Sequence, residues 1–333
     1  MEKIFCFGEL LIRLSPDLDN AWIADTAMPA HIGGAELNVA QALVNWEMPV
    51  KYCTALPDNW LSQNIISHLQ QKKIDTSAIQ YSGQRIGLYY LPQGTDLKNA
   101  GVIYDRAGSS FATVAPDSID WNSLLQDCDW FHCSAICPAV SEQAAHVTAE
   151  AMQAAKAKGI TVSIDLNYRS KLWQYGQAPQ QVMPKLIQHC DVVMGNLWSV
   201  ESLLSIPTGL NGQTEVSDAE LVSTATASMQ LLQQQYPNVQ TMAYNFRFDD
   251  RYFAVLHKDQ ATITATTKPL GNVVDKVGSG DCFMAALIYA IQSGYSHSDI
   301  INFAVSAAVG KLGEKGDSTQ QTVTQIKQRM HEQ

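Results

Sequence analysis

The chain has 333 residues, 46% of them hydrophobic and 16% charged, which suffices for a full α/β core and is ordinary for a globular enzyme. A formal charge of −10 argues against a non-specific nucleic-acid surface, so an anionic ligand would have to be met by local basic residues. Seven scattered cysteines (6, 53, 128, 133, 137, 190 and 282) contain no zinc pattern, because Cys133 and Cys137 lack a second pair or clustered histidines; a reduced, cytoplasmic protein is expected.

Met1 to Phe7 runs straight into a strand without the apolar region and cleavage site of a signal peptide, and no apolar stretch is long enough to span a bilayer. Leu10 to Leu14 alternates around Arg13 like a partly exposed strand, and Pro16 to Pro29 is polar and irregular. Gly33 and Gly34 then open a helix with Leu37, Ala40, Leu43 and Val44 on its apolar face. Paired glycines admit another group close to the backbone, and Asn38, one turn in, suits a hydroxyl-rich ligand. A strand over Val50 to Ala55 and a helix over Trp60 to Gln71 set a β-α-β rhythm, which favours a mainly parallel sheet with helices on both faces. Gly87 to Leu91 and Ala100 to Arg106 break that rhythm: two strands around a turn-rich Pro92 to Asn99. With the early strand they predict a small sheet outside the core, placed to act as a lid.

The rhythm resumes with a strand at Trp130 to Ser134, a helix at Ser141 to Lys158 and a strand at Ile160 to Asp165. The polar run Asp165-Leu166-Asn167-Tyr168-Arg169 falls at a carboxyl edge, where α/β sheets bind ligands. Helices are predicted at Val182 to His189, Ala219 to Gln235 and Ser298 to Lys311; strands at Val192 to Met194 and Thr241 to Tyr244; and an antiparallel pair at Tyr252 to Leu256 and Ala261 to Thr266. Between them lies Val274-Asp275-Lys276-Val277-Gly278-Ser279-Gly280-Asp281, led in by the strand-like Val273 and Val274 and followed by an apolar helix over Phe283 to Ile291. Such a turn leaves the first helical amides unpaired, and the helix dipole makes the spot an anion site. On its own the motif reads two ways: a corner with Asp281 as N-cap, or a phosphate site whose adjacent Asp281 takes a proton from an attacking hydroxyl.

Together, Gly33-Gly34-Ala35-Glu36-Leu37-Asn38 and Asp275 to Asp281 resemble the two signatures of the ribokinase-like (phosphofructokinase B-type) sugar kinases, in order and over nearly the whole chain. Gly8 to Pro16, Asp165 to Arg169 with Leu172-Trp173, and Tyr104-Asp105-Arg106 are similar to the 2-keto-3-deoxygluconate kinases within that family. The resemblance implies one domain over residues 1–333, a three-layer α/β fold with a mainly parallel sheet, and a lid formed by about 10–31 and 85–108. It implies ATP and Mg2+, leaves room for a monovalent cation such as K+, and points to a homo-oligomer, a dimer through a lid face carrying Leu88, Tyr90 and Ile103.

In roles, Asp281 would be the base, with Gly278, Ser279 and Gly280 as the anion hole. Gly33, Gly34, Asn38, Tyr89, Tyr104, Arg106, Arg169 and Asp281 would hold the sugar acid, and Asn196, Asn245, Gly278 and Gly280 the nucleotide. An acidic sugar needs a cation away from its reacting hydroxyl, which Arg106 or Arg169 can supply. Four positions depart from the family pattern: Lys276 for Thr, Ser199 for the metal-organising Glu with Glu201 two residues late, Tyr244-Asn245-Phe246-Arg247 for the Lys-x-Gly loop, and Val305 for Asn. They leave the metal ligands unassigned. They also motivate a non-catalytic sugar-acid sensor as an alternative to the kinase, beside a fructokinase or other ketose kinase.

Overall fold

The computed structural model describes residues 2–16, 28–92, 101–210 and 216–332. Its main sheet runs, in spatial order, Ala261–Thr264, Arg251–Lys258, Thr241–Arg247, Val192–Gly195, Thr161–Asp165, Cys128–Ser134, Lys3–Phe7 and Val50–Cys53, with Lys268–Pro269 also paired to Arg251–Lys258. Neighbours are parallel from Val50–Cys53 across to Thr241–Arg247 and antiparallel beyond it. The chain leaves Lys3–Phe7 for Val50–Cys53 on one side and returns as Cys128–Ser134 on the other. That reversal opens a crevice at the carboxyl ends of the two central strands, the usual ligand position in such sheets.

The period of two along each strand builds a layer on each face. Phe5 and Phe7 pack with Phe131 and the helices Glu142–Ala157 and Asp218–Gln235. Ile4 and Cys6 face the other way, toward Ala35–Asn45, Ser279–Gln292 and His297–Leu312. The helix Ser279–Gln292 is buried from Cys282 through Ile288, which is why its sequence is apolar all round rather than amphipathic. Among the described residues, no helix is long and apolar enough to cross a membrane.

A separate sheet orders Ala30–Gly33, Leu11–Leu14, Gly87–Tyr90 and Ile103–Asp105. The expectations for Pro16 to Pro29 and for the turn at Pro92 to Asn99 fall largely outside the described residues. Arg13 corrects the expected exposure of its strand: it is buried at 2% exposure, while its neighbours Ile12 and Leu14 are only partly covered. Leu11, Arg13, Gly33, Tyr89 and Tyr104 share the inner face by register, and Leu14, Leu88, Tyr90 and Ile103 share the outer one.

Other boundaries shift too. Gln325 and Thr322 cap a C-terminal helix, Val323–His331, that the apolar pattern alone did not mark. The expected lead-in strand at Val273 and Val274 is absent; that stretch is irregular, and Val274 N instead donates to Leu312 O at 2.7 Å. The following helix begins at Ser279, not Phe283, because Gly278 closes the turn at once as its N-cap.

Candidate active site

Between the carboxyl ends of the main strands and the inner face of the small sheet lies a cleft open to solvent. Every residue expected to touch sugar or nucleotide lines it, except Gly33. Asp165, from the polar run at the sheet edge, and Arg247 line it too, as does Trp198, for which the sequence suggested no role.

Asp281 sits in the first turn of Ser279–Gln292, buried at 8% exposure. Asn38 Nδ2, from the facing helix Ala35–Asn45, donates to its Oδ2 at 2.7 Å. Asn38 was expected on a sugar hydroxyl; it lines the cleft, and its amide nitrogen orients Asp281 while its Oδ1 has no partner among the described residues. Burial pushes the Asp281 carboxyl up to about 7; the Asn38 hydrogen bond and the charge of Arg169 oppose that rise, while Glu36 and Asp317 add to it. A carboxylate that titrates near neutrality and lines a cleft has the properties of a general base. Asp165, at the end of Thr161–Asp165, is also raised well above the usual carboxylate range, by burial first and then by the Asp281 charge. Glu36 is fully buried and also raised by burial, against hydrogen bonds from Ser134 and Cys137.

The anion site follows from the helix start. The first intrahelical bond runs from Cys282 N to Gly278 O at 2.8 Å, so the amides of Ser279, Gly280 and Asp281 have no acceptor within the helix, and no side chain caps it. The expected trio Gly278, Ser279 and Gly280 sits at this helix start, where Gly278 also supplies the turn and Asp281 adds a further amide without a helical acceptor. The Gly278 φ of 78° is left-handed, and an added Cβ would lie 1.8 Å from the Asp317 carbonyl oxygen. Gly34 is similarly obliged, with φ 137° and the Glu9 carbonyl oxygen 2.4 Å from an added Cβ.

Gly33 serves Asp317 rather than the cleft. A Cβ there would meet Asp317 Oδ2 at 2.4 Å. That carboxylate accepts from the Tyr89 hydroxyl at 3.0 Å and pairs with Arg13 at 2.7 Å, and Arg13 also reaches Asp275 at 3.1 Å. The inner face of the small sheet is thereby bolted to both loops that frame the helix start. The sequence held one signal of this network, a lone arginine in an otherwise apolar strand.

The two candidate cations for a substrate carboxylate differ. Arg106 is 5% exposed and donates through Nε and Nη2 to Glu9, which also accepts from Ser109. Its charge is already matched. Arg169 lines the same cleft half-buried and donates to the Tyr168 carbonyl at 3.1 Å, with no acid paired to it among the described ion pairs. Tyr104 stands beside both Tyr89, at 6.4 Å between ring centroids, and the Arg106 guanidinium, at 6.0 Å.

On the remaining side, Asn196 caps the helix Leu197–Leu204 by accepting from Ser199 N at 2.9 Å, and Asn196 N in turn donates to Ser199 Oγ at 2.9 Å. Ser199 is therefore consumed by a capping box. Glu201 accepts from Thr208 on the surface and does not line the cleft. Asn245 donates to the Tyr252 hydroxyl at 2.9 Å, and Val305 is buried in the core. Among the described residues no group of three acidic, histidine or cysteine side chains is placed to hold a metal. A second cavity beside the cleft is lined by Phe248, Asp249, Leu270, Val273 and Leu312, and shares Arg247 and Lys276 with it.

The fold recurs in known proteins. The chain is 27% identical over 315 residues to a 2-dehydro-3-deoxygalactonokinase of Haloferax volcanii, covering 95% of this chain and 92% of that protein. It is 24% identical to a 2-dehydro-3-deoxygluconokinase of Escherichia coli, over 90% and 91% of the two chains. The crystal structure of a 2-dehydro-3-deoxygluconokinase from Thermotoga maritima superposes with a TM-score of 0.88 at 29% identity, covering 99% of this chain and 98% of that one. The model of the pfkB family carbohydrate kinases matches residues 1–323, from the first strand through the anion helix and beyond, and the chain belongs to that family.

Proposed function

We propose that the protein phosphorylates the terminal hydroxyl of 2-keto-3-deoxygluconate with ATP, giving 2-keto-3-deoxy-6-phosphogluconate. One observation carries the reading: a buried carboxyl titrating near 7, Asp281, stands at the mouth of three unpaired helix amides in the cleft that Arg169 also lines. Relatives acting on keto-deoxy sugar acids support the substrate class.

In this mechanism Arg169 binds the substrate carboxylate, with Arg106, fixed by Glu9, and Tyr104 completing that end. Asp281, turned by Asn38, accepts the proton of the hydroxyl as its oxygen attacks the γ-phosphorus, and ADP leaves. The amides of Ser279, Gly280 and Asp281 meet the charge on the transferred group. Mg2+ arriving with ATP would face Asp165 and screen the phosphates, consistent with a metal held by one or two carboxylates plus the nucleotide. The small sheet, as the lid of a single kinase domain, excludes water from the transfer. Its outer face, with Leu14, Leu88, Tyr90 and the half-exposed Ile103, is apolar enough to pair with a second copy, so the assembly is a lid-to-lid dimer. A cytoplasmic setting supplies ATP and keeps the seven buried cysteines as thiols.

A coupled ADP-release assay on 2-keto-3-deoxygluconate, its galactose-derived epimer, gluconate, fructose and ribose tests the reading. Turnover is expected on the keto-deoxy acids, and Arg169→Ala should raise their KM about tenfold to a hundredfold while leaving any fructose turnover alone. Preferred turnover of fructose would replace the substrate, and sugar-acid binding without any MgATP turnover would replace the kinase with a sensor.

A further inference from the structure

Lys311 is a buried charge beside the helix start to which the mechanism gives no task. It lies in the last turn of His297–Leu312 and has no exposed surface. Its Nζ donates to the Glu314 carbonyl oxygen at 3.3 Å, and no acid pairs with it among the described ion pairs. An ammonium carries three donors, so a single long hydrogen bond is poor recompense for leaving water. Burial draws its pKa down, and the charges of Asp275, Glu314 and Asp317 oppose that fall.

The surroundings say what the charge is for. A Cβ added to Gly278 would meet Lys311 Cε at 3.4 Å, so the lysine stem lies against the turn that opens the helix. The end of His297–Leu312 also carries the approach to that turn: Val274 N and Asp275 N donate to Leu312 O at 2.7 and 3.3 Å. Asp275 accepts in turn from Val277 N at 2.9 Å and Gly316 N at 3.3 Å. Two carboxylates, Asp275 and Asp317, thus stand behind the helix start and share one guanidinium, that of Arg13. This leaves one negative charge uncovered behind amides that face an anion, an opposition that is strong where water is scarce. The Lys311 ammonium brings the group to balance.

We propose that Lys311 is a built-in monovalent cation, which balances Asp275 and Asp317 and holds the turn in place, so that turnover needs no free K+. A free cation drawn to the same acids and to the Glu314 carbonyl would have to occupy the volume that Nζ fills. The inference rests on the kinase reading. It makes Lys311 a positioning residue, acting through the turn rather than on the substrate.

Initial rates and thermal melts in chloride salts of K+, NH4+, Na+ and tetramethylammonium, at constant ionic strength and fixed Mg2+, provide the test. For the wild type neither rate nor melting temperature should change between the salts. Lys311→Met keeps the stem and removes the ammonium. In tetramethylammonium, which is too large to enter, its kcat should fall roughly tenfold to a hundredfold, with the KM for the sugar acid unchanged. K+ or NH4+ should restore much of that rate and raise the melting temperature. A variant that gains nothing from either ion overturns the proposal and leaves Lys311 as a charge at a helix C-terminus. Should Lys311→Met not fold, the wild-type series decides: a requirement for K+ overturns the proposal and indifference upholds it. The melts need no turnover. Failure of the kinase reading would therefore show separately, as silence on every keto-deoxy acid while the cation dependence of the variant's melting persists.

Discussion

Replacing Asp281 by Asn should cut turnover and stabilise the free protein, and the second effect can be sized. The carboxyl rises from an ordinary value near 3.9 to about 7 on folding. At 1.36 kcal/mol per pH unit, ionising it in the folded state costs roughly 4 kcal/mol. The sign follows from proton binding: between those two values the native state holds a proton that the unfolded state has released, so stability falls as pH rises through this window. Asn cannot ionise, and its carbonyl can still accept from Asn38. The variant should therefore match the wild type near pH 4 and exceed it by up to about 4 kcal/mol at pH 8. The gain may not be read as additive with Asp165, because Asp165 is itself raised partly by the Asp281 charge and will relax in the variant. Urea denaturation at both pH values, beside kcat, gives the answer. Turnover should drop by about a hundredfold to ten-thousandfold, and wild-type kcat/KM should climb with pH to a plateau above about 7. A variant less stable than wild type at pH 8, or one that keeps its turnover, would refute both the burial argument and the base assignment.

Three further outcomes follow from the same geometry. Gly278→Ala should fold with a loss of about 1–3 kcal/mol, since it forces a left-handed residue against the Asp317 carbonyl, and should lower kcat by about a hundredfold as the amides are displaced; thermal melting and initial rates check it. Arg13→Met should cost about 3–5 kcal/mol by leaving Asp317 buried without its partner, which urea denaturation at neutral pH would register. Leu88→Lys on the outer face of the small sheet should convert a dimer to a monomer in light scattering, with the cleft untouched.

What could be read from the sequence was whatever depends on local periodicity and short-range turn chemistry. The strand–helix alternation gave the main sheet because parallel neighbours need helical crossovers, and each crossover writes a 3.6-residue pattern between two β-branched runs. Gly33-Gly34 and Gly278-Ser279-Gly280-Asp281 could be recognised because a helix start with glycine has few other uses. What stayed hidden depends on contacts between residues far apart in the chain. Asp317 lies 304 positions from Arg13 in number and 2.7 Å away in space, and nothing around either residue names the other. Arg106 looked available to a ligand because Glu9, its partner, belongs to the far end of the first strand. Arg13 looked exposed because an arginine amid Leu11, Ile12 and Leu14 usually marks the wet face; here the wet face is apolar, and the charged one is closed over a cleft.

That inversion ties the lid to the chemistry. Tyr89 and Arg13 hang from the small sheet and grip Asp317, whose own carbonyl oxygen lies where a side chain at Gly278 would have to go. Arg13 also holds Asp275, and the Asp275 carboxylate accepts from Val277 N at 2.9 Å, one residue before the anion turn. A displacement of the small sheet therefore pulls on both sides of the helix start at once. In the proposed mechanism, a sugar held by Tyr89 and Tyr104 would in this way be mechanically coupled to the amides assigned to the phosphate. A lid that merely shaded the cleft would not need a buried arginine shared between two acids; the pairing of Arg13 with Asp275 and Asp317 suits the proposed lid, which would set the transfer site in register with the substrate.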